Sequence, residues 1–299
     1  DIAKISTVSP TAVIATALLS HRGRGMPQSR MLATGLRMIE FLDDNAARLS
    51  EALLNVNEDG RKAALLKAAE SLAKEGMIVA EQAGKTDAEL IYRVPEERRI
   101  LLDYHKNALM NYFAPASLVA RSLRRHGLSE VSQDAMREDV KFLSRSFKRE
   151  FLFRADSGFD VHFEDVVASL VLLGIVDFDE AEGTVSALDG DGVETLARLI
   201  DGVIEAYWST LQSVEQIAET PLPEKELKDR ALERIRRAFL EGEISRPEAA
   251  NQTVVATALS WLQSEGHLSP TDPNNRKSAL KVEDPTKLAD LRARLDLLR

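Results

Sequence analysis

Apolar residues recur mostly at helical spacing along the chain, and glycine, proline or acidic turns interrupt them at short intervals. A helix opens at Pro10 and continues through TAVIATALLS, with proline in the first turn, where its missing N–H costs nothing. Two glycines and two arginines at residues 21–25 stop it. Leu32, Leu36, Ile39 and Leu42 mark a helix over about residues 28–45, and further helices are expected over 46–54 and 61–75. Gly76 ends the last of these, and β-like runs at 77–80 and 89–94 flank a polar turn. Helix, glycine, strand, turn, strand is the order of a winged-helix edge.

The pattern is densest over residues 99–127. Leu101, Tyr104, Ala108 and Tyr112 share one stripe, with Ile100, Leu102, Leu109 and Phe113 beside it. Arg99, Asp103, Lys106, Asn107 and Asn111 lie opposite, so the stripe predicts a core-facing helix. Ala114-Pro115 predicts a break, because the residue before a proline avoids helical geometry, and a second helix should then run to Gly127.

Beyond it, Met136, Val140, Leu143, Phe147 and Phe151 mark one long helix from Ser132. The acidic residues 159–165 precede a helix over 166–173, ended by Gly174. Residues 177–192 are acidic and contain glycine, which predicts a surface loop or minor boundary. Helices follow over 194–214, 224–241 and up to 265, with a stiff TPLP connector at 220–223, then a polar loop and a last charged helix. An apolar helix ending in glycine, then a hydrophobe, recurs as SLAKEGMIV, SLVLLGIVDF, ALSWLQSEGHL and SLRRHGLSEV. Glycine there supplies the left-handed residue of a helix C-cap. No fixed period links the copies, so no solenoid is expected.

The expected fold is therefore mainly α: a multi-helix bundle with at most a short, winged-helix-like β-hairpin near residues 77–94. The expected domains are an N-terminal helical subdomain over 1–95, with that edge, and a C-terminal helical bundle over 96–299.

Composition narrows the chemistry. Of 299 residues, 44% are hydrophobic but only 5% aromatic, so leucine and alanine must do most of the burying. With 39 basic and 48 acidic residues the net charge is −9, a poor match to nucleic acid. The absence of cysteine excludes disulfides, thiolate metal sites and cysteine nucleophiles. No uncharged apolar run reaches the ~18 residues a membrane-spanning helix needs. The chain opens on Asp1 inside an apolar segment, which predicts that it was cut from a longer protein whose preceding part carries the chemistry.

Catalytic signatures are scarce. There is no GxxxxGK[ST], GxGxxG, GxSxG or HExxH. His21, His105, His126, His162 and His267 do not pair on a helix face, so neither a metal site nor a cofactor is expected. His267 and Asp272 match H-x-x-x-x-D, in which a histidine oriented by an aspartate takes the proton of an acceptor hydroxyl. The match sits beside Pro270, Pro273, Asn274 and Asn275, just past a glycine-capped helix, and reads as coincidence. Basic clusters at Arg22-Arg24-Arg30, Arg121-Arg124-Arg125 and Lys141-Arg145-Lys148-Arg149-Arg154 read first as solvated helix faces, and second as seats for an anionic partner. His105 reads as a core histidine.

Several blocks come in one order: SPTAVIATALLSHRGRG, LLDYHKNALMNYFAPASLVARSL, FKREFLFR with FEDVVASLVLLGIV, IEAYWSTL, and NQTVVATALSWLQSEG. Together, over roughly residues 6–267, they resemble the C-terminal region of the membrane-associated glycerol-3-phosphate O-acyltransferases, the bacterial and mitochondrial type. The resemblance implies acyl transfer from acyl-CoA or acyl carrier protein to the 1-position of sn-glycerol 3-phosphate, the first step of phospholipid synthesis. In that family the catalytic H-x-x-x-x-D block and the glycerol-3-phosphate-binding blocks lie N-terminal to this region. No catalytic or substrate-binding residue is therefore carried onto this chain, which alone is expected to be inactive. The implied partners are an upstream acyltransferase domain of the same protein, the two substrates through that domain, and a membrane surface. The implied place is the cytoplasmic face of the inner membrane, held peripherally. The rival readings from the residues are a winged-helix nucleic-acid-binding or regulatory protein, and a helical scaffold.

Overall fold

The structure is a computed structural model that describes residues 7–82, 89–151, 153, 158–275 and 278–299. It forms two compact units: residues 1–141 with 151–199, and residues 142–150 with 200–299. Helices dominate and strands are short, so the protein is mainly α.

The first unit begins with α1 (Pro10–Ser20), capped by Ser9, whose hydroxyl accepts the Ala12 amide at 3.2 Å. This helix is apolar all round, and residues 12–20 are all buried. Around it lie α2 (Gln28–Asp44), α3 (Glu58–Lys74) and α4 (Glu96–Asn107). Gly35 lets α2 approach α3, because a Cβ there would stand 2.9 Å from Leu65 Cδ1. The strands β1 (Met26–Pro27), β2 (Val79–Gln82) and β3 (Leu90–Arg93) pair antiparallel in the order β1-β3-β2, with Tyr92 opposite both Met26 and Ala80.

The same element order then returns. The chain runs through α5 (Met110–Arg125), β4 (Val131–Ser132), α6 (Gln133–Ser146), α7 (Phe159–Leu172), β5 (Val176–Asp179), β6 (Thr184–Ala187) and α8 (Gly190–Arg198). The sheet order is β4-β6-β5, the counterpart of the first, and α8 packs on α5 as α4 packs on α1. The second unit repeats the plan with α9 (Asp201–Glu215), α10 (Glu224–Leu240), α11 (Gln252–Ser264), β7 (Leu268–Pro270), β8 (Leu280–Val282) and α12 (Pro285–Leu297). Leu222 bridges Leu280 where the other copies have a two-residue strand, and α12 packs on α9. Helix, strand, two helices, hairpin, helix is winged-helix order with one helix added, written three times.

Local chemistry repeats with it. Each third helix ends in a buried leucine, then a glycine at positive φ four residues on: Leu72 and Gly76, Leu170 and Gly174, Leu262 and Gly266. The amides of Met77, Ile175 and His267 return to the carbonyls of Leu72, Leu170 and Leu262, each at 2.9 Å. Ile78, Val176 and Leu268 follow, each 1% exposed, and each opens or immediately precedes a hairpin. These are Schellman caps with their hydrophobic contact. The first helices start at residues 10, 110 and 201, spacings of 110 − 10 = 100 and 201 − 110 = 91. Unequal spacing is why a fixed-period search misses the repeat.

Several expectations change. The hairpin near 77–94 is present and joined by β1, while residues 177–192, expected as a loop, form a second hairpin and the start of α8. Residues 46–54 are turns rather than a helix, with Ala46 and Asn55 at positive φ. The break expected at Ala114-Pro115 falls at residues 108–109, and Pro115 sits inside α5. Burial overrides the local preference there: Phe113, Ala114, Ala116, Ser117 and Leu118 are all buried, for the loss of one backbone hydrogen bond. The stripe of α4 is inverted. Ile100, Leu101 and Tyr104 are 57%, 50% and 78% exposed, whereas Asp103 and Lys106 are buried as an ion pair at 2.7 Å. Lys106 also donates to the Leu199 carbonyl at 3.3 Å, which repays part of its desolvation.

A Cβ at Gly174 would meet no atom within 4 Å, so only its left-handed backbone resists a side chain. Gly174→Ala should therefore cost about 1–2 kcal/mol and Leu170→Ala about 2–5 kcal/mol in chemical denaturation. Equal, negligible effects would show that the cap does not hold the hairpin.

Candidate functional site

In the first unit, α2 and α8 face each other across a small open cleft. Its floor is apolar, built from Met38, Phe41, Phe113 and Leu196, with the Phe41 and Phe113 rings stacked at 5.0 Å. Arg37 stands at the rim in an ion pair with Asp189, and Arg30 pairs with Asp191 at 3.3 Å nearby. Thr195 lines the wall but its hydroxyl donates back to the Asp191 carbonyl at 2.8 Å. The cleft offers apolar contact and two fixed ion pairs. It presents no base beside a nucleophile.

Asp139 is the hub of a second cluster. Its buried carboxylate accepts from the Ser122 hydroxyl at 3.0 Å, pairs with Arg125, and lies 3.6 Å from His126 Nε2. These are the residue types of a nucleophilic triad in the wrong order. The serine hydroxyl donates to the aspartate, so the histidine is not placed to take its proton. The cluster ties α5 to α6.

This corrects the reading of the 121–125 arginines as a solvated face. Arg121 is 1% exposed, Arg125 is spent on Asp139, and Arg124 lies 3.6 Å from Glu194, which also pairs with Arg198 at 2.5 Å. Helical spacing placed the arginines together but could not show that two carboxylates from other elements meet them. Arg22 and Arg24 are exposed, as are Arg145 and Lys148. Lys141 reaches Glu138 at 3.9 Å and Arg149 meets the Ser260 hydroxyl. Arg154 lies outside the described residues.

The histidines stay apart. His21 Nε2 lies 3.0 Å from the Gly25 carbonyl, and His105 stands edge-on to Tyr104 with ring centroids 6.0 Å apart. His162 is half-buried on α7. His267 follows the left-handed Gly266, and partial burial pushes its pKa below the ordinary imidazole value. The Asp272 carboxylate accepts the Asn274 amide at 2.9 Å, so it caps its own turn rather than orienting His267. Among the described residues no group of three or more metal-capable side chains converges.

The second unit holds buried acids that sequence spacing missed. Glu205 accepts from the Ser245 amide and hydroxyl and the Arg246 amide, all at 2.8–2.9 Å, which pins the segment after α10 onto α9. Arg246 then pairs with Asp201 at 3.1 Å, both buried. Burial raises the Glu205 pKa despite those donors. Glu150 accepts from the Tyr207 hydroxyl at 3.1 Å, and burial lifts its pKa to about 7. Tyr207 is itself wedged between the rings of Phe147 and Trp261. An i,i+4 pattern search treats these acids as surface residues. Only their partners 40 or more residues away reveal their burial.

The order of blocks and the mainly α fold now meet a direct comparison. Residues 1–271 match the family model of the glycerol-3-phosphate acyltransferase C-terminal region. The chain belongs to that family. The match ends one residue before Asp272, so the His267–Asp272 pair straddles its edge. As a member of this family, the chain is part of an acyltransferase.

Two outcomes follow from the buried acids. Glu150 has a folded pKa raised above its unfolded value, so its contribution to stability is greatest below about pH 4.5 and is lost as pH rises towards 7. Glu150→Gln should therefore flatten the pH dependence of Tm and stabilise more at pH 8 than at pH 4.5; a parallel shift at both would contradict this. Arg246→Ala, which strands the buried Asp201 carboxylate while Glu205 keeps its backbone and Ser245 donors, should cost about 3–5 kcal/mol in urea unfolding.

Proposed function

We propose that this chain is the helical C-terminal part of a glycerol-3-phosphate 1-O-acyltransferase. The enzyme would move an acyl group from acyl-CoA or acyl carrier protein to sn-glycerol 3-phosphate, at the entry to phospholipid synthesis. This part supports and shields the cleft of a catalytic domain that precedes it in the polypeptide. The family match over residues 1–271 carries the reading. It is supported by the site geometry, in which Ser122, His126 and Asp139 are locked into a structural cluster and His267 is not aligned with Asp272. No described helix is long and apolar enough to cross a membrane. Contact with the cytoplasmic face of the inner membrane would then be peripheral.

The winged-helix order raises nucleic-acid binding as the rival, and electrostatics separates the two. A helix-turn-helix reader inserts its recognition helix into a groove and neutralises phosphates with Lys and Arg. Here α7 exposes Asp160, Glu164 and Asp165 and carries no Lys or Arg, α11 carries no charged residue, and α3 exposes charges of both signs. Such helices suit contact with protein.

The test is turnover of acyl-CoA and glycerol 3-phosphate by the full-length protein and by residues 1–299 alone. Product from the former and none from the latter is expected. Turnover by residues 1–299 would overturn the supporting role, and silence from an intact full-length protein would overturn the reaction. His267→Ala in the full-length enzyme should leave kcat within about twofold, since no contact orients that ring for catalysis.

A further inference from the structure

We infer that the exposed stripe of α4, centred on Leu101 and Tyr104, is the seat of an amphipathic helix from the polypeptide that precedes this chain. The turn from α4 into α5 and the turn from α8 into α9 have the same backbone: Ala108 (φ −62, ψ −24) and Leu109 (φ −101, ψ −12) match Leu199 (φ −61, ψ −27) and Ile200 (φ −104, ψ 5). Aligning them sets an offset of 200 − 109 = 91 residues. Buried positions then coincide, Leu102 with Val193, Leu109 with Ile200 and Phe113 with Ile204.

In the same register Leu101, Tyr104 and His105 fall on Gly192, Thr195 and Leu196. Those are the α8 residues that line the cleft opposite α2. In the second copy of the repeat, this face is therefore turned towards the second helix of the copy before it, across the cleft and tied at the rim by two ion pairs. The first copy has the same face, made more apolar and left open.

Charge and size specify the occupant. Arg37 and Arg30 of α2 meet Asp189 and Asp191, and the α4 positions equivalent to those aspartates are Arg98 and Ile100. The occupant helix accordingly brings an acidic residue to Arg98 and an apolar one to Ile100. An anionic bilayer suits the face poorly, because Glu96 and Glu97 stand exposed at its head. A second copy of the chain suits it no better. Two helical turns fall far short of the ~800 Å² per partner that a stable free interface needs. A tethered segment needs far less area, because its effective concentration reaches the millimolar range. The inference rests on the proposed function in one respect only, that an acyltransferase region precedes this chain.

The experiment places a photoreactive benzoylphenylalanine at Tyr104 in the full-length protein and maps the crosslink by mass spectrometry. A crosslink to an upstream segment of amphipathic helical pattern supports the inference. A crosslink to lipid, to a second copy, or only within residues 1–299 overturns it. Leu101→Asp should lower the Tm of the full-length protein by several degrees and leave the Tm of residues 1–299 unchanged or higher; equal shifts in both overturn it. Arg98→Glu should lower the full-length Tm and be rescued by a basic residue at the crosslinked acidic position; no rescue overturns the charge assignment. Should the full-length protein prove inactive, the functional reading fails while the crosslink still decides the contact.

Discussion

Left-handed backbone at Gly76, Gly174 and Gly266 sets the direction in which each third helix passes its chain to a hairpin. A buried leucine carbonyl four residues earlier takes the amide that follows each glycine, and the next apolar side chain folds back under the helix. From that turn the register of the sheet follows. The hairpin's second strand then presents Tyr92, Val185 or Leu280 to the short first strand. The sheets are too small to be stable alone, so each depends on the helix end that launches it. A side chain added at any of the three glycines would strain the turn without meeting an atom. The constraint is therefore conformational rather than steric.

The sequence shows these caps plainly, because glycine after an apolar helix is a local signal. It also shows one hairpin, at 77–94, and the mainly α class. Three copies of one plan escape it, since loops of different length between α2 and α3, α6 and α7, and within the hairpins spoil any constant period. The inverted α4 escapes for another reason. Helical spacing shows that Leu101 and Tyr104 share a face, and assigning that face to the core assumes the opposite face is dispensable to it. Here the opposite face holds Asp103 and Lys106, which satisfy each other and the Leu199 carbonyl under α1 and α5. The candidate sites divide the same way. Lone histidines are visible in sequence, whereas Glu205 with Ser245, and Glu150 with Tyr207, exist only once distant segments meet.

Repetition changes what a functional argument can use. With one copy, an exposed leucine is a commonplace of protein surfaces. With a second copy in register, the α4 positions have counterparts on α8 whose surroundings are known. Gly192 and Thr195 are half-buried opposite α2 where Leu101 and Tyr104 are exposed, and the half-buried pair is the less apolar of the two. Burying the weaker face and exposing the stronger one is unfavourable for a free-standing chain. It is the expected arrangement when the stronger face is completed by another segment.

Winged-helix order usually invites a nucleic-acid reading, and this protein shows why topology alone cannot decide it. What makes that fold a reader of DNA is a basic recognition helix. In α7 that helix is acidic, in α11 it is uncharged, and Arg125 and Arg124 of α5 are paired with Asp139 and Glu194. Charge that in a DNA reader would face phosphate is spent here on fastening helices to one another. The same helical order is thereby held together by ion pairs within the first unit and presents an apolar cleft there.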